Sequence, residues 1–190
     1  MTPAAAIEVA WVLWLVSWTV AAVWSQRTTK RPALGREWLY RAVTLAGAVL
    51  LFESSRRIGG FRLWWASEAV QWALVLVALA GFAFTWWARL HLGALWSSSV
   101  TRKADHRVVD TGPYAIVRHP IYTGILVAVF ASAAMIATPD AFAGALAMTA
   151  GFWIKARLEE SFLSEELGED AYQSYRRRVP MLLPFGPPSR

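Results

Sequence analysis

The length of the apolar runs constrains this chain more than any other feature. Nearly uninterrupted nonpolar stretches of about 16–20 residues recur between Ala4 and Ile154. A helix needs about that length to cross a hydrocarbon core of roughly 30 Å. A soluble helix of the same length would carry a polar face at helical period, and these runs show too few polar positions for one. The expected fold is therefore an all-α integral membrane protein. It would have about five transmembrane helices, near 4–24, 38–54, 68–87, 120–138 and 141–154, and a cytoplasmic C-terminal helical segment. All of this forms one membrane domain over 1–190.

The charge balance agrees. A net charge of +6 could suit nucleic acid, but the cations are placed for a membrane surface. Lys and Arg number none before the first span, five around the first connection, three in the second, five in the third, none in the fourth and six after the last. One alternating set thus holds 16 of the 19, which puts that side in the cytoplasm and the N-terminus outside. Nucleic acid is not an expected partner; membrane lipid is. The first segment lacks a basic start and a cleavage site, so it reads as a retained helix. With no Cys, a disulfide framework is excluded and the redox compartment is left open. The 12 Trp read mostly as interfacial belts and lipid-facing packing.

Several elements are legible along the chain. Pro120 suits the first turn of the fourth span, since its missing N–H leaves no donor there. Pro139-Asp140 is a short outer turn that makes spans four and five an antiparallel hairpin, with Asp140 as the expected N-cap. Helical composition continues past the fifth span from Lys155 to Leu167, with Gly168 as the expected stop. Glu169 to Arg178 reads as a further short helix whose acidic start and basic end complement the helix dipole.

Against this apolar background one polar stretch stands out, His106 to Gly124 (HRVVDTGPYAIVRHPIYTG). It holds Arg107, Arg118 and His119, a Gly-Pro turn and two tyrosines. There is no dinucleotide or P-loop glycine pattern. His91, His106 and His119 lack metal-ligand spacing, so no metal is expected. The Gly-Pro turn and the pre-proline His119 force a non-helical course beside the start of span four. Its N–H groups and the helix N-terminus can receive an anion.

The order His106, Val109, Gly112-Pro113-Tyr114, Val117-Arg118-His119-Pro120, Tyr122 and Gly124 resembles the signature of the isoprenylcysteine carboxyl methyltransferase family and its phospholipid N-methyltransferase relatives. A second block agrees: Arg157, Glu159-Glu160, Leu163, Gly168, Tyr172, Tyr175 and Arg178-Val179-Pro180. The resemblance covers about 90–186. It implies an integral membrane methyltransferase that uses S-adenosylmethionine, releases S-adenosylhomocysteine and acts on a lipophilic small molecule or lipid. By the same resemblance, His106, Val109, Gly112, Tyr114, Arg118, His119, Tyr122 and Glu159 would surround the cofactor. Arg178 and Glu160 would take the catalytic roles, and Tyr172, Tyr175 and Arg157 would meet the acceptor. Eukaryotic members have more membrane helices and a Gly before the last Pro, where this chain has Met181-Leu182-Leu183-Pro184. It is similar to the short prokaryotic form, which implies a prokaryotic plasma membrane with the active site on the cytoplasmic side.

Other readings of the same residues stay open. Arg178 either holds an acceptor carboxylate or joins Arg176 and Arg177 on anionic lipid. Tyr172 and Tyr175 either line the site or pack the short helix. The acceptor is an isoprenylcysteine-like carboxylate first, with a phospholipid amine or a small thiol or phenol as alternatives. A nicotinamide-dependent membrane reductase and a non-catalytic membrane protein are the two further classes.

Overall fold

The structure is a computed structural model, and it describes residues 1–21, 35–56, 61–93, 109–167 and 169–186. Six α-helices follow in order: α1 (Pro3–Ala21), α2 (Gly35–Arg56), α3 (Glu68–Leu92), α4 (Pro120–Ile136), α5 (Pro139–Leu167) and α6 (Glu169–Arg178). A 3-10 turn, Gly112–Ala115, precedes α4. Among the described residues there is no strand.

The burial pattern on α1 shows what surrounds the molecule. Ala6, Ile7, Ala10, Trp11 and Trp14 form a buried stripe at helical spacing. The opposite side carries Val9, Val12, Leu13, Val16 and Val20, all exposed. A helix apolar on both faces fits a lipid surround, where the outer face needs no polar groups. α3 repeats the pattern, with Val75, Ala78 and Phe82 inward and Leu76, Val77 and Leu79 outward. α1 and α3 are long and apolar enough to cross a membrane, and α4 is a shorter apolar helix of 17 residues.

Because lipid is as apolar as a leucine side chain, helices in it associate through close backbone approach at small residues. α2 packs on α5, α3 on α4, α4 on α5 and α1 on α3. A Cβ on Gly81 would lie 2.5 Å from the Gly124 carbonyl oxygen, and one on Gly124 would lie 2.5 Å from that of Gly81. Gly47 and Gly144 face each other in the same way where α2 crosses α5. These two crossings fix the central bundle.

Two of the tryptophans depart from the belt reading. Trp11 and Trp14 are buried among Phe52 and Phe82, and each indole N–H finds a hydroxyl acceptor. Trp11 Nε1 donates to Ser132 Oγ at 2.9 Å and Trp14 Nε1 to Thr85 Oγ1 at 2.8 Å. A buried indole needs such a partner, and sequence periodicity gives no sign of it. These bonds tie α1 to α4 and α3.

The hairpin between α4 and α5 forms as expected, with one correction. Ala137 takes a left-handed conformation that stops α4. The cap of α5 is Thr138, whose Oγ1 accepts from Ala141 N at 3.2 Å, so the helix starts at Pro139 and Asp140 lies inside its first turn. Pro139 wins because its fixed φ already suits the first helical position. α5 then runs for 29 residues, about 43 Å at 1.5 Å per residue, so it overhangs the apolar part of the bundle. α6 and the tail fold back against that overhang.

Candidate active site

The site is built where the start of α4, the overhang of α5 and the tail after α6 converge. The 3-10 turn shapes one side. Gly112 has φ +57, and a Cβ there would lie 2.7 Å from the His91 ring, so both the conformation and the space require glycine. His91 Nε2 is hydrogen-bonded to Thr111 Oγ1 at 2.9 Å, which fastens the turn to the last turn of α3. Pro113 and Val117 are fully buried beneath it.

From there the chain leaves the helical course through a bend at Arg118, and the pre-proline His119 stays out of the α region (φ -123, ψ 63). Their side chains meet the two adjacent carboxylates of α5. Arg118 Nε donates to Glu160 Oε1 at 2.7 Å, with both side chains buried. His119 presents Nε2 to the same Oε1 at 3.2 Å and Nδ1 to Glu159 Oε2 at 3.5 Å. Arg176 of α6 faces the other Glu160 oxygen at 3.4 Å. Tyr122, in the first turn of α4, donates its hydroxyl to Glu159 Oε1 at 2.6 Å. Its ring stacks on His119 at 5.4 Å and on Phe152 at 5.1 Å. The Lys155 ammonium lies over the Tyr122 ring at 5.1 Å and the Tyr40 ring at 5.7 Å.

The charges follow from these contacts. Burial alone would lower the His119 pKa, but its hydrogen bonds to Glu159 and Glu160 outweigh it and hold the imidazole above its usual 6.5. Burial would raise Glu160, yet His119 and Arg118 bring it down to about 2. Glu159 is lowered as well, against its own burial, by His119, Lys155 and Tyr122. The result is a histidine clamped between two carboxylates, each ring nitrogen facing an oxygen, an arrangement that favours the protonated ring. Burial pushes the Tyr114, Tyr172 and Tyr175 phenols up, so they stay protonated donors.

This cluster falls largely inside a recognised segment. Residues 73–165 match the isoprenylcysteine carboxyl methyltransferase (ICMT) family. Methanethiol S-methyltransferase 2 of Bradyrhizobium diazoefficiens is 49% identical over 71 residues, covering 37% of this chain and 26% of that protein. Protein-S-isoprenylcysteine O-methyltransferase B of Arabidopsis thaliana is 30% identical over 131 residues, covering 64% of this chain and 61% of that protein. The matches therefore span about a quarter of the first relative and about three fifths of the second. In fold, the chain is similar to the eukaryotic intramembrane Ras methyltransferase ICMT. The TM-score is 0.57 with 23% identity, covering 77% of this chain and 52% of that one. ICMT-like packing of apolar helices makes this a membrane protein fold.

Within the ICMT-like arrangement, Arg118, His119, Tyr122, Glu159 and Glu160 come together, while Gly112 and Tyr114 sit in the turn against His91. Tyr175 donates its hydroxyl to the Tyr114 carbonyl at 2.7 Å, while Tyr172 packs on Tyr175 and Val179 with Leu163 against them. Val109 is half-buried just ahead of the turn. His106 lies outside the described residues. Arg178 and Arg157 stand apart from the cluster. Arg178 pairs with Asp110 at 3.0 Å on an exposed surface, and Arg157 lies over the Trp153 ring at 5.8 Å. Sequence reasoning missed Tyr40, His91, Phe152, Lys155 and Arg176 as neighbours. The spacing of Phe152, Lys155 and Glu159 on one face of α5 was a readable signal. Tyr40 and Arg176 are brought in by tertiary packing alone.

Proposed function

We propose that this chain is an S-adenosylmethionine-dependent integral membrane methyltransferase acting on a lipophilic acceptor at the cytoplasmic boundary. An isoprenylcysteine-like carboxylate is the first acceptor. One observation carries the reading: a buried histidine–carboxylate cluster stands at one end of apolar helices, inside the segment that matches the family. In this reading the chain crosses the membrane about five times, near 4–24, 38–54, 68–87, 120–138 and 141–154. The N-terminus is outside and the cluster faces the cytoplasm, in keeping with the distribution of Lys and Arg.

The residues present fit a cationic methyl donor. Glu159 is the more open of the two carboxylates, with its side chain 19% exposed against 3% for Glu160. The rings of Tyr122 and Tyr40 already hold the ammonium of Lys155, and a surface that holds an ammonium suits a sulfonium or an amino group. Val109, Gly112, Tyr114, His119, Tyr122 and Glu159 would hold the cofactor, with His106 beyond the described residues. When bound, S-adenosylmethionine supplies a methyl group on a sulfonium that leaves as a neutral thioether. The chain's part is to orient and to exclude water, worth up to about 7–11 kcal/mol in favourable cases. Glu160 favours the protonated form of His119 and fixes its ring, His119 and Tyr122 aim Glu159, and Tyr172 and Tyr175 hold the tail in place. Arg178 shares an exposed ion pair with Asp110, worth at most about 1 kcal/mol, so an acceptor carboxylate can take its place on the guanidinium. Arg157, exposed beside Trp153, would serve as a second cation for that acceptor.

A small thiol is the second acceptor reading, favoured by the 49% identity to a methanethiol S-methyltransferase across the matched stretch. The test is transfer of labelled methyl from S-adenosylmethionine, by purified protein in lipid nanodiscs, to S-farnesylcysteine analogues and to methanethiol. Methylation of the farnesylcysteine carboxylate is expected. Transfer only to the thiol selects the second reading. Absence of S-adenosylmethionine and S-adenosylhomocysteine binding by folded protein overturns both.

A further inference from the structure

After α6 the chain forms no regular secondary structure over 179–182, yet it is bound along its whole length to the start of α4. Arg118 N donates to Pro180 O at 2.9 Å and His119 N to Met181 O at 3.1 Å. Thr123 Oγ1 donates to Leu182 O at 2.6 Å. The Arg118 guanidinium adds two more bonds, from Nη1 to Arg176 O at 3.0 Å and to Val179 O. Its Nε is taken by Glu160. The side chain is fully buried. One guanidinium thus joins three elements: its own segment before α4, the overhang of α5, and the end of α6 with the strap that follows. The matched family segment stops at 165, so the strap lies beyond it.

Resemblance would set Arg118 against the cofactor; the structure sets its guanidinium against Glu160 and the carbonyls of Arg176 and Val179. We propose instead that Arg118 is a positioning residue that latches the C-terminal strap across the start of α4 and, through Glu160, sets the orientation of the His119–Glu159 pair. The latch stands on this geometry alone. What the oriented pair does rests on the methyltransferase reading. The fork geometry is essential to the role, because an ammonium cannot reach one carboxylate and two carbonyls from a single planar group. A lysine therefore keeps the charge and loses the latch.

The test uses the full chain in nanodiscs with three variants, Arg118→Lys, Arg118→Gln and Thr123→Val. The last removes one strap bond and leaves every charge in place. Trypsin cuts at Arg176 to Arg178 only when α6 unwinds, so the rate of losing the C-terminal peptide, read by intact mass, reports the unlatched population. It should rise about tenfold or more in both Arg118 variants and by a smaller factor in Thr123→Val. In the same samples, binding of S-adenosylhomocysteine is compared with that of methylthioadenosine, which lacks the amino-acid carboxylate. A positioning role weakens both ligands by similar factors, and Lys fails to rescue. Loss confined to S-adenosylhomocysteine, with unchanged cleavage, means direct contact with the cofactor and overturns the proposal. Faster cleavage with both affinities unchanged also overturns it, because the strap then orients nothing. If wild type binds neither ligand, the methyltransferase reading falls and the cleavage rates alone decide the latch. If Arg118→Gln does not fold, Arg118→Lys and Thr123→Val carry the comparison.

Discussion

Replacing Glu160 with glutamine removes one negative charge from the centre of the cluster and adds no volume. In the native protein that carboxylate faces Arg118 at 2.7 Å, His119 at 3.2 Å and Arg176 at 3.4 Å. Removing one partner from a buried pair costs about 3–5 kcal/mol, because the other charge stays buried without compensation. Here the amide oxygen can still accept from Arg118 Nε, and the guanidinium keeps its two carbonyl acceptors. The expected loss is therefore lower, about 2–4 kcal/mol at pH 7. The assay is unfolding by sodium dodecyl sulfate in mixed micelles, followed by circular dichroism, across a pH series. Glu160 titrates at about 2 in the folded chain against an ordinary 4.5, so the unfolded state takes up the proton first. Its stabilisation is complete above the ordinary value and is lost as pH falls toward 2. His119 has the opposite sign. Its folded value lies above 6.5, so its stabilisation is full below 6.5 and is lost as pH rises through the folded value. Glu160→Gln should remove one proton's worth of the acid slope and bring the His119 loss to lower pH. A variant within about 0.5 kcal/mol of wild type at pH 7, or one with an unchanged acid slope, would refute the buried network.

Three further outcomes are expected. Gly124→Val should part α3 from α4, since its Cβ meets the Gly81 carbonyl at 2.5 Å and neither backbone can rotate away; a loss of about 1–3 kcal/mol or more should appear as a lower detergent-unfolding midpoint. Ser132→Ala leaves the buried Trp11 indole N–H without its acceptor and should cost about 1–3 kcal/mol in the same measurement. Tyr122→Phe keeps the ring stack but removes the hydroxyl from Glu159, and calorimetry should show S-adenosylhomocysteine affinity falling about tenfold, in line with losing a hydrogen bond to a charged group.

How much was legible varies with the kind of signal. Helix positions follow from local composition, so α3 begins at Glu68 and α4 at Pro120, as the sequence implies. The continuation of α5 past Lys155 and the separate α6 were readable for the same reason. The cap at Thr138 was not, because Thr and Asp are both good caps and Pro139 decides between them. Among the site residues, motif order brought His119, Tyr122 and Glu159 forward, and the structure unites them. The motif could not separate residues that meet one another from residues that meet solvent, and so it ranked Arg178 with Glu160. One is exposed beside Asp110, and the other is buried under three cations.

The sequence by itself determined the medium and the elements. Apolar runs with no polar face dictate lipid, and the Gly-Pro and His-Pro pairs dictate a break in the helical course between α3 and α4. Only the tertiary structure decided which elements touch. The glycine crossings bring α3 against α4 and α2 against α5, and the strap closes over the start of α4. Those contacts join residues 40 to 120 positions apart in the chain, where no periodicity in sequence can register them. The electrostatics of the cluster belongs to the same level, since the His119 pKa is raised only because two carboxylates from another helix flank its ring.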